Sequence, residues 1–222
     1  MDENINIIIK KRLERTAQNL KKNNMAVYFA DKKEDVPGIV KSIIKEGDVV
    51  SHGGTATLME CGLSELLNNG KYTYLDRSKV SPENIHQLYL DSFSADVYIT
   101  SSNAITEDGL LYNVDGNSNR VAAIAYGPKS VIVIAGYNKI VHDLEEAQTR
   151  VKTIAAPANT TRLNCDTFCK EKGYCASLAK KESGMCSGCS SPARICCNYL
   201  VSAYQRHKDR IKVILVNEEL GY

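Results

Sequence analysis

Ser130-Val-Ile-Val-Ile-Ala135 is the stretch on which the fold turns. Val and Ile suit a pleated strand, and an unbroken apolar run implies burial on both faces. A strand of that kind belongs inside a parallel sheet covered by helices on either side. Downstream, Asp143 to Ala155 reads as a helix with Asp143 at its cap and Glu145 and Glu146 in its first turn. Upstream, Ala95-Asp-Val-Tyr-Ile-Thr100 is a second buried strand. It follows a helix over Pro82 to Phe93, opened by Ser81 as N-cap with Pro82 at N1.

The same alternation extends outward. Residues 4–23 form a helical stripe with Ile5, Ile8, Leu13, Ala17 and Leu20 on one face. Strands are expected at Met25–Ala30, Asp48–Ser51, Tyr72–Leu75, Leu110–Val114 and Lys212–Val216, and helices at Val36–Lys45 and Thr57–Leu67. Val121 to Tyr126 is a short helix or strand. The pattern predicts an α/β domain spanning 1–222 around a mostly parallel sheet. Residues 160–200 break with this composition and read as a cysteine-rich, metal-binding appendage.

A chain of 222 residues buries a full core without staples. A net charge of +2 supplies no electrostatic footing for nucleic acid or a membrane surface. The basic run from Arg206 to Lys212 lacks the interleaved aromatics of a nucleic-acid patch. Neither a signal peptide nor a bilayer-length apolar run is visible, so the expected compartment is the cytoplasm, where thiols stay reduced.

That compartment bears on the cysteines, because seven of the eight fall between 165 and 197. The core reads Gly184-Met-Cys-Ser-Gly-Cys-Ser-Ser-Pro-Ala-Arg-Ile-Cys-Cys-Asn198. Cys186 and Cys189 form a Cys-x2-Cys turn, and Cys169 and Cys196 complete a four-thiolate set. Such a set holds an iron–sulfur cluster of the [4Fe–4S] type or a structural zinc, or it remains a group of redox-active thiols; spacing alone leaves the three open. Of the tandem Cys196 and Cys197, one is expected to pack rather than ligate. Cys61 reads as a small buried hydrophobe. Arg194 offsets thiolate charge, anchors an anion, or makes a surface ion pair.

The second candidate site is the glycine turn in Val49-Val-Ser-His-Gly-Gly-Thr-Ala-Thr-Leu-Met-Glu-Cys-Gly62. Gly53 and Gly54 allow backbone N–H groups to converge on an anion, with Thr55 and Thr57 as added donors. The alternative is a plain strand-to-helix connection capped by Thr55 or Thr57. His52 is the only histidine placed for chemistry, and packing is its simpler role. Glu107, Asp108 and Asp115 supply acid–base groups or ordinary turns.

Two longer stretches carry a family resemblance. They are Ile99-Thr-Ser-Ser-Asn-Ala-Ile-Thr-Glu-Asp-Gly-Leu-Leu-Tyr-Asn-Val-Asp-Gly-Asn-Ser-Asn-Arg-Val-Ala-Ala-Ile-Ala125 and Tyr126-Gly-Pro-Lys-Ser-Val-Ile-Val-Ile-Ala-Gly-Tyr-Asn-Lys-Ile-Val141. With Gly53–Glu60 they resemble the LUD (lactate-utilisation) domain family over nearly the whole chain. The resemblance implies a three-layer α/β/α sandwich similar to the sugar-phosphate isomerase and CoA-transferase-like superfamily. It implies a pocket with Gly53, Gly54, Thr55, Thr57 and Glu60 on one wall. Asn103, Glu107, Asn117, Asn119 and Arg120 would form the other.

The tail resembles a short subgroup ending Cys-x2-Cys-x-Ser-Pro-x-Arg-Ile-Cys. In that subgroup the earlier cysteine lies closer to the pair. Here Glu171 to Lys181 reads as inserted, so Cys169 and Cys175 both stand as the fourth ligand. Family members are associated with oxidation of L-lactate to pyruvate, often beside iron–sulfur subunits, although the ferredoxin-type cysteine repeats of the larger subunit are missing here. The expected function is a redox-associated component of lactate or hydroxy-acid utilisation, with a small anionic ligand and a thiolate-bound metal. Two alternatives stand beside it. One is a transferase-like enzyme for a phosphorylated or CoA-linked ligand with structural zinc; the other is a non-catalytic partner of an iron–sulfur oxidoreductase complex.

Overall fold

A computed structural model describes residues 2–182 and 184–222. Its strands are β1 (Ala26–Ala30), β2 (Val49–His52), β3 (Thr73–Leu75), β4 (Val97–Thr100), β5 (Ala104–Thr106), β6 (Leu111–Asp115), β7 (Ser130–Gly136), β8 (Ile140–Val141), β9 (Asn198–Ser202) and β10 (Ile211–Val216). Six of them make a wholly parallel sheet in the order β1-β10-β7-β4-β2-β3. The apolar run of β7 lies inside it, as its sequence predicts. Val131, Val133 and Ala135 enter the core on one face, and Ile132 and Ile134 enter the core on the other. Period-two alternation with both faces apolar is what a doubly covered sheet requires.

Helices α1 (Glu3–Lys22), α2 (Val36–Ile43), α3 (Ala56–Glu60), α4 (Leu63–Leu67), α5 (Ile85–Asp91), α6 (Asn119–Ala125), α7 (Leu144–Arg150), α8 (Ala156–Arg162), α9 (Phe168–Lys172) and α10 (Ala176–Ala179) complete the α/β fold. Leu13, Ala17 and Leu20 of α1 pack with Ala123 and Ile124 of α6 on one face of the sheet. On the other, Val36 and Val40 of α2 join Leu58, Leu63 and Leu67 of α3 and α4.

Several elements depart from the sequence reading. Ile5 and Ile8 of α1 are exposed, because the first turns of that helix project past the core that Leu13 enters. The helix expected over Thr57–Leu67 is two short ones, broken where Gly62 adopts φ +67°. Ser81 does not cap with its side chain; Pro82 opens a 3-10 turn that leads into α5. The helix after Asp143 does not stop at Ala155. It passes through a π turn, Val151–Ala155, into α8, with Pro157 tolerated in the first turn of α8.

A second sheet, ordered β8-β5-β6-β9, was not expected from the sequence. Its β6 is the expected Leu110–Val114 strand, which pairs antiparallel with β5 and β9 instead of joining the main sheet. Strand β9 closes the cysteine-rich stretch and so ties it to the body of the protein. No helix among the described residues is long and apolar enough to cross a membrane.

Candidate functional site

Strands β10, β7, β4 and β2 lie side by side and parallel, so the segments that leave their carboxyl ends meet at one edge. Ligands of open parallel sheets bind at that edge. Here it holds a cavity of about 360 Å3. After β2 come Gly54, Thr55 and Thr57; after β4, Ser101 and Asn103; after β7, Lys139; after β10, Gly221 and Tyr222.

The glycine turn builds a wall there, with the amides of Gly53 and Thr55 already engaged. Gly53 N–H donates to Ile99 O at 3.0 Å, and Thr55 N–H donates to Gly53 O at 2.9 Å. Thr55 also caps α3, its Oγ1 accepting from Thr57 N–H at 3.2 Å. The capping alternative therefore holds, and α3 has a single turn of dipole to offer. Both glycines allow close approach. A Cβ on Gly53 would stand 3.0 Å from Arg120 Cδ, and one on Gly54 would collide with Arg77 Nη1. His52 packs against its neighbours. It stacks on Tyr74 at 5.6 Å, its Nδ1 donates to Gly53 O at 2.7 Å, and burial lowers its pKa.

At the floor sits a residue the sequence reading passed over. Lys139 is 2% exposed, and its Nζ donates to Ser101 Oγ at 2.8 Å and to Thr57 Oγ1 at 3.2 Å. Burial, with Arg150 and Arg120 nearby, pushes its ammonium down to about 7. Neither Lys139 nor Arg120 nor Arg150 forms a salt bridge among the described residues. Buried cations without partners are costly, and a bound anion relieves that cost.

Arg120 itself is spent on architecture. Its Nη1 donates to Asn113 Oδ1 at 2.7 Å and to Ser101 O at 3.3 Å. Its Nη2 donates to Val114 O at 2.7 Å and to Asn103 Oδ1 at 2.8 Å. Asn103, Asn117, Asn119 and Arg120 line the cavity as the resemblance implies. Asp115 tethers this wall by accepting from the N–H groups of Arg120 and Val121 at 2.9 and 3.2 Å.

Three residues assigned to the pocket are not in its lining, among them Gly53, which sits against Arg120 and Thr100. Glu107 faces α1, paired with Arg12 at 2.6 Å and Arg15 at 3.3 Å. Glu60 is outside the lining too: its Oε2 accepts from Gly221 N–H at 2.8 Å, and its charge acts on Lys139 from there. Arg77 and Arg162 stand in the lining instead. Arg77 makes no side-chain hydrogen bond among the described residues, whereas Arg162 is held by Asn159 and Tyr222.

The cysteine-rich stretch contributes Pro192–Ile195 to the cavity lining, with Ile195 against Gly116. Arg194 organises the cysteine turns behind it. Its Nη1 donates to Cys189 O at 3.3 Å and Cys186 O at 3.4 Å, while Nε donates to Cys196 O at 3.0 Å and Cys196 Sγ at 3.3 Å. Gly188 permits this, since a Cβ there would stand 3.2 Å from the guanidinium carbon. Burial pushes the Cys196 thiol up and Arg194 opposes it, with Cys175 and Cys189 close enough to contribute.

Cys169 is buried apart from that group, its Sγ between the hydroxyls of Thr160 and Thr167 at 3.4 Å. The tandem pair diverges: Cys196 packs beside Tyr199, and Cys197 is exposed. Among the described residues no three His, Cys, Asp or Glu side chains are placed as a ready metal shell. The hydroxyl of Tyr112, in the same packed cluster as Cys196, is buried without a hydrogen-bond partner. Cys61 is the buried hydrophobe expected, its thiol pushed up to about 12 by burial.

The family model for the LUD domain matches residues 13–216. Among solved structures, a DUF162 family protein from Deinococcus radiodurans superposes with a TM-score of 0.51 at 16% identity, covering 94% of this chain and 98% of that one. The eIF2B beta subunit from Chaetomium thermophilum gives a TM-score of 0.38 at 15% identity, over 51% of this chain and 40% of that one. No curated protein sequence matches significantly.

Proposed function

The chain belongs to the LUD domain family, and on that footing we propose that it is a redox-associated component of hydroxy-acid utilisation whose cavity takes a small carboxylate. The observation that carries this reading is Lys139, buried at the cavity floor beside Arg120 and Arg150 without a paired carboxylate. A ligand carboxylate supplies the missing charge. The hydroxyls of Thr57 and Ser101, already at Lys139 Nζ, suit the hydroxyl of a hydroxy acid. Arg77 adds a guanidinium to the lining.

Cys186, Cys189 and Cys196, with Cys169 or Cys175, would hold an iron–sulfur cluster or a zinc ion. A cluster supplies one-electron transfer when bound, and zinc supplies only a staple. Arg194 belongs to both the cavity lining and the cysteine turns, so the two sites share a wall. Docking onto iron–sulfur oxidoreductase subunits in the cytoplasm is the setting this reading implies.

A thermal-shift panel tests it. L-lactate and related hydroxy acids are expected to raise the melting temperature of the wild type, and Arg77→Met to weaken the response. At a hundred times the dissociation constant the stabilisation is about 2.7 kcal/mol. A response confined to phosphorylated or CoA-linked compounds would instead support the transferase-like alternative. No response to any anion would remove the reading.

A further inference from the structure

We propose that Lys139 is a covalent catalytic residue: its amine condenses with the carbonyl of a small anionic aldehyde or ketone bound in the cavity. The proposal rests on the anion reading above and adds a reactive group to it.

Four features of the site point the same way. The Nζ lies at the floor of the cavity of about 360 Å3, not on the surface where most lysines lie. Its hydrogen-bond partners are two hydroxyls, Thr57 Oγ1 and Ser101 Oγ, and no carboxylate among the described residues forms an ion pair with it, Glu60 acting only from farther off. Arg150 and Arg120 disfavour its charge, and the lowered pKa leaves a large neutral fraction near pH 7. A lysine desolvated beside other cations is the usual form of an amine nucleophile. Lastly, Gly221 closes over the site, a Cβ there standing 3.4 Å from Lys139 Nζ, so the amine is screened from solvent.

In the step, the Nζ lone pair forms a C–N bond as the carbonyl π bond breaks, and the oxygen takes up a proton. Loss of that oxygen as water leaves a protonated imine. Amine, carbonyl compound and one proton yield imine cation and water, with no change of oxidation state. Thr57 and Ser101 are the hydroxyls placed to pass the proton. The positive surroundings bind the anionic end of the ligand, whether carboxylate or phosphate.

Reductive trapping tests this on the full chain. The protein is incubated near pH 7 with cyanoborohydride and either pyruvate or dihydroxyacetone phosphate, and the adduct is mapped by peptide mass spectrometry. The expected result is one stable adduct on Lys139, far above exposed lysines such as Lys10 and Lys71 and suppressed by excess oxalate. Oxalate occupies an anion site but forms no imine. Trapping by pyruvate identifies a carboxylate ligand, and trapping by the triose phosphate a phosphate ligand; either supports the proposal. Mapping is done on the wild type, so it does not depend on Lys139→Met folding. Oxalate binding with Lys139 unmodified would overturn the covalent role and leave the anion site standing. Absence of both would overturn the two together.

Discussion

Lys139 is an amine buried without an ion-pair partner among the described residues, and its titration carries a stability signature. Its folded pKa of about 7 lies below the ordinary value of 10.5, so between those values the unfolded chain holds a proton that the folded chain has released. Stability therefore rises with pH across that window, and the full penalty is present below pH 7. Lys139→Met removes this dependence. Its stability relative to wild type should be most favourable below pH 7 and should decline as pH approaches 10, as read by urea denaturation at several pH values. Arg120 behaves differently, since its guanidinium satisfies Asn103, Asn113, Val114 and Ser101. Arg120→Met should cost about 1–3 kcal/mol for each buried acceptor left unpaired, whereas Arg77→Met should leave stability nearly unchanged and weaken anion binding. Gly54, Thr55 and Thr57 at the cavity wall were legible in the sequence because paired glycines between a strand and a helix are a local signal. Lys139 was not. It follows a strand in a polar turn, Gly136-Tyr-Asn-Lys139, and only the convergence of four strand ends buries it.

Element by element, the main sheet was readable because both faces of its strands are apolar, which no short surface strand imitates. The second sheet was not, because β5 and β8 are three and two residues long and their pairing is set by distant partners. Two glycines separate local from tertiary demands. Gly38 lies within α2 with nothing within 4 Å of an added Cβ, so Gly38→Ala should stabilise by about 0.5–1 kcal/mol. Gly109 has φ +89°, and a Cβ there would lie 2.7 Å from the backbone of Asn19 in α1. Gly109→Ala should cost at least about 1–3 kcal/mol by overpacking alone, and the same denaturation series would register both changes.

At the scale of the molecule, the cysteine-rich stretch is a wall of the cavity as well as an appendage. Arg194 contacts Cys186, Cys189 and Cys196, while Cys169, expected among them, lies apart, and nothing in the sequence pattern indicated that Pro192–Ile195 would line the cavity. That closeness arises because β9 pairs with β6 and so draws the preceding loop over Gly116. Arg194→Met should loosen both regions, lowering anion affinity together with the metal content of protein purified without oxygen; unchanged values for both would separate the sites. The most direct measurement of the central claim is a crystal structure of the protein with oxalate. Oxalate is expected in the cavity within hydrogen-bonding distance of Lys139 Nζ. An empty cavity, with oxalate bound only at surface lysines, would contradict it.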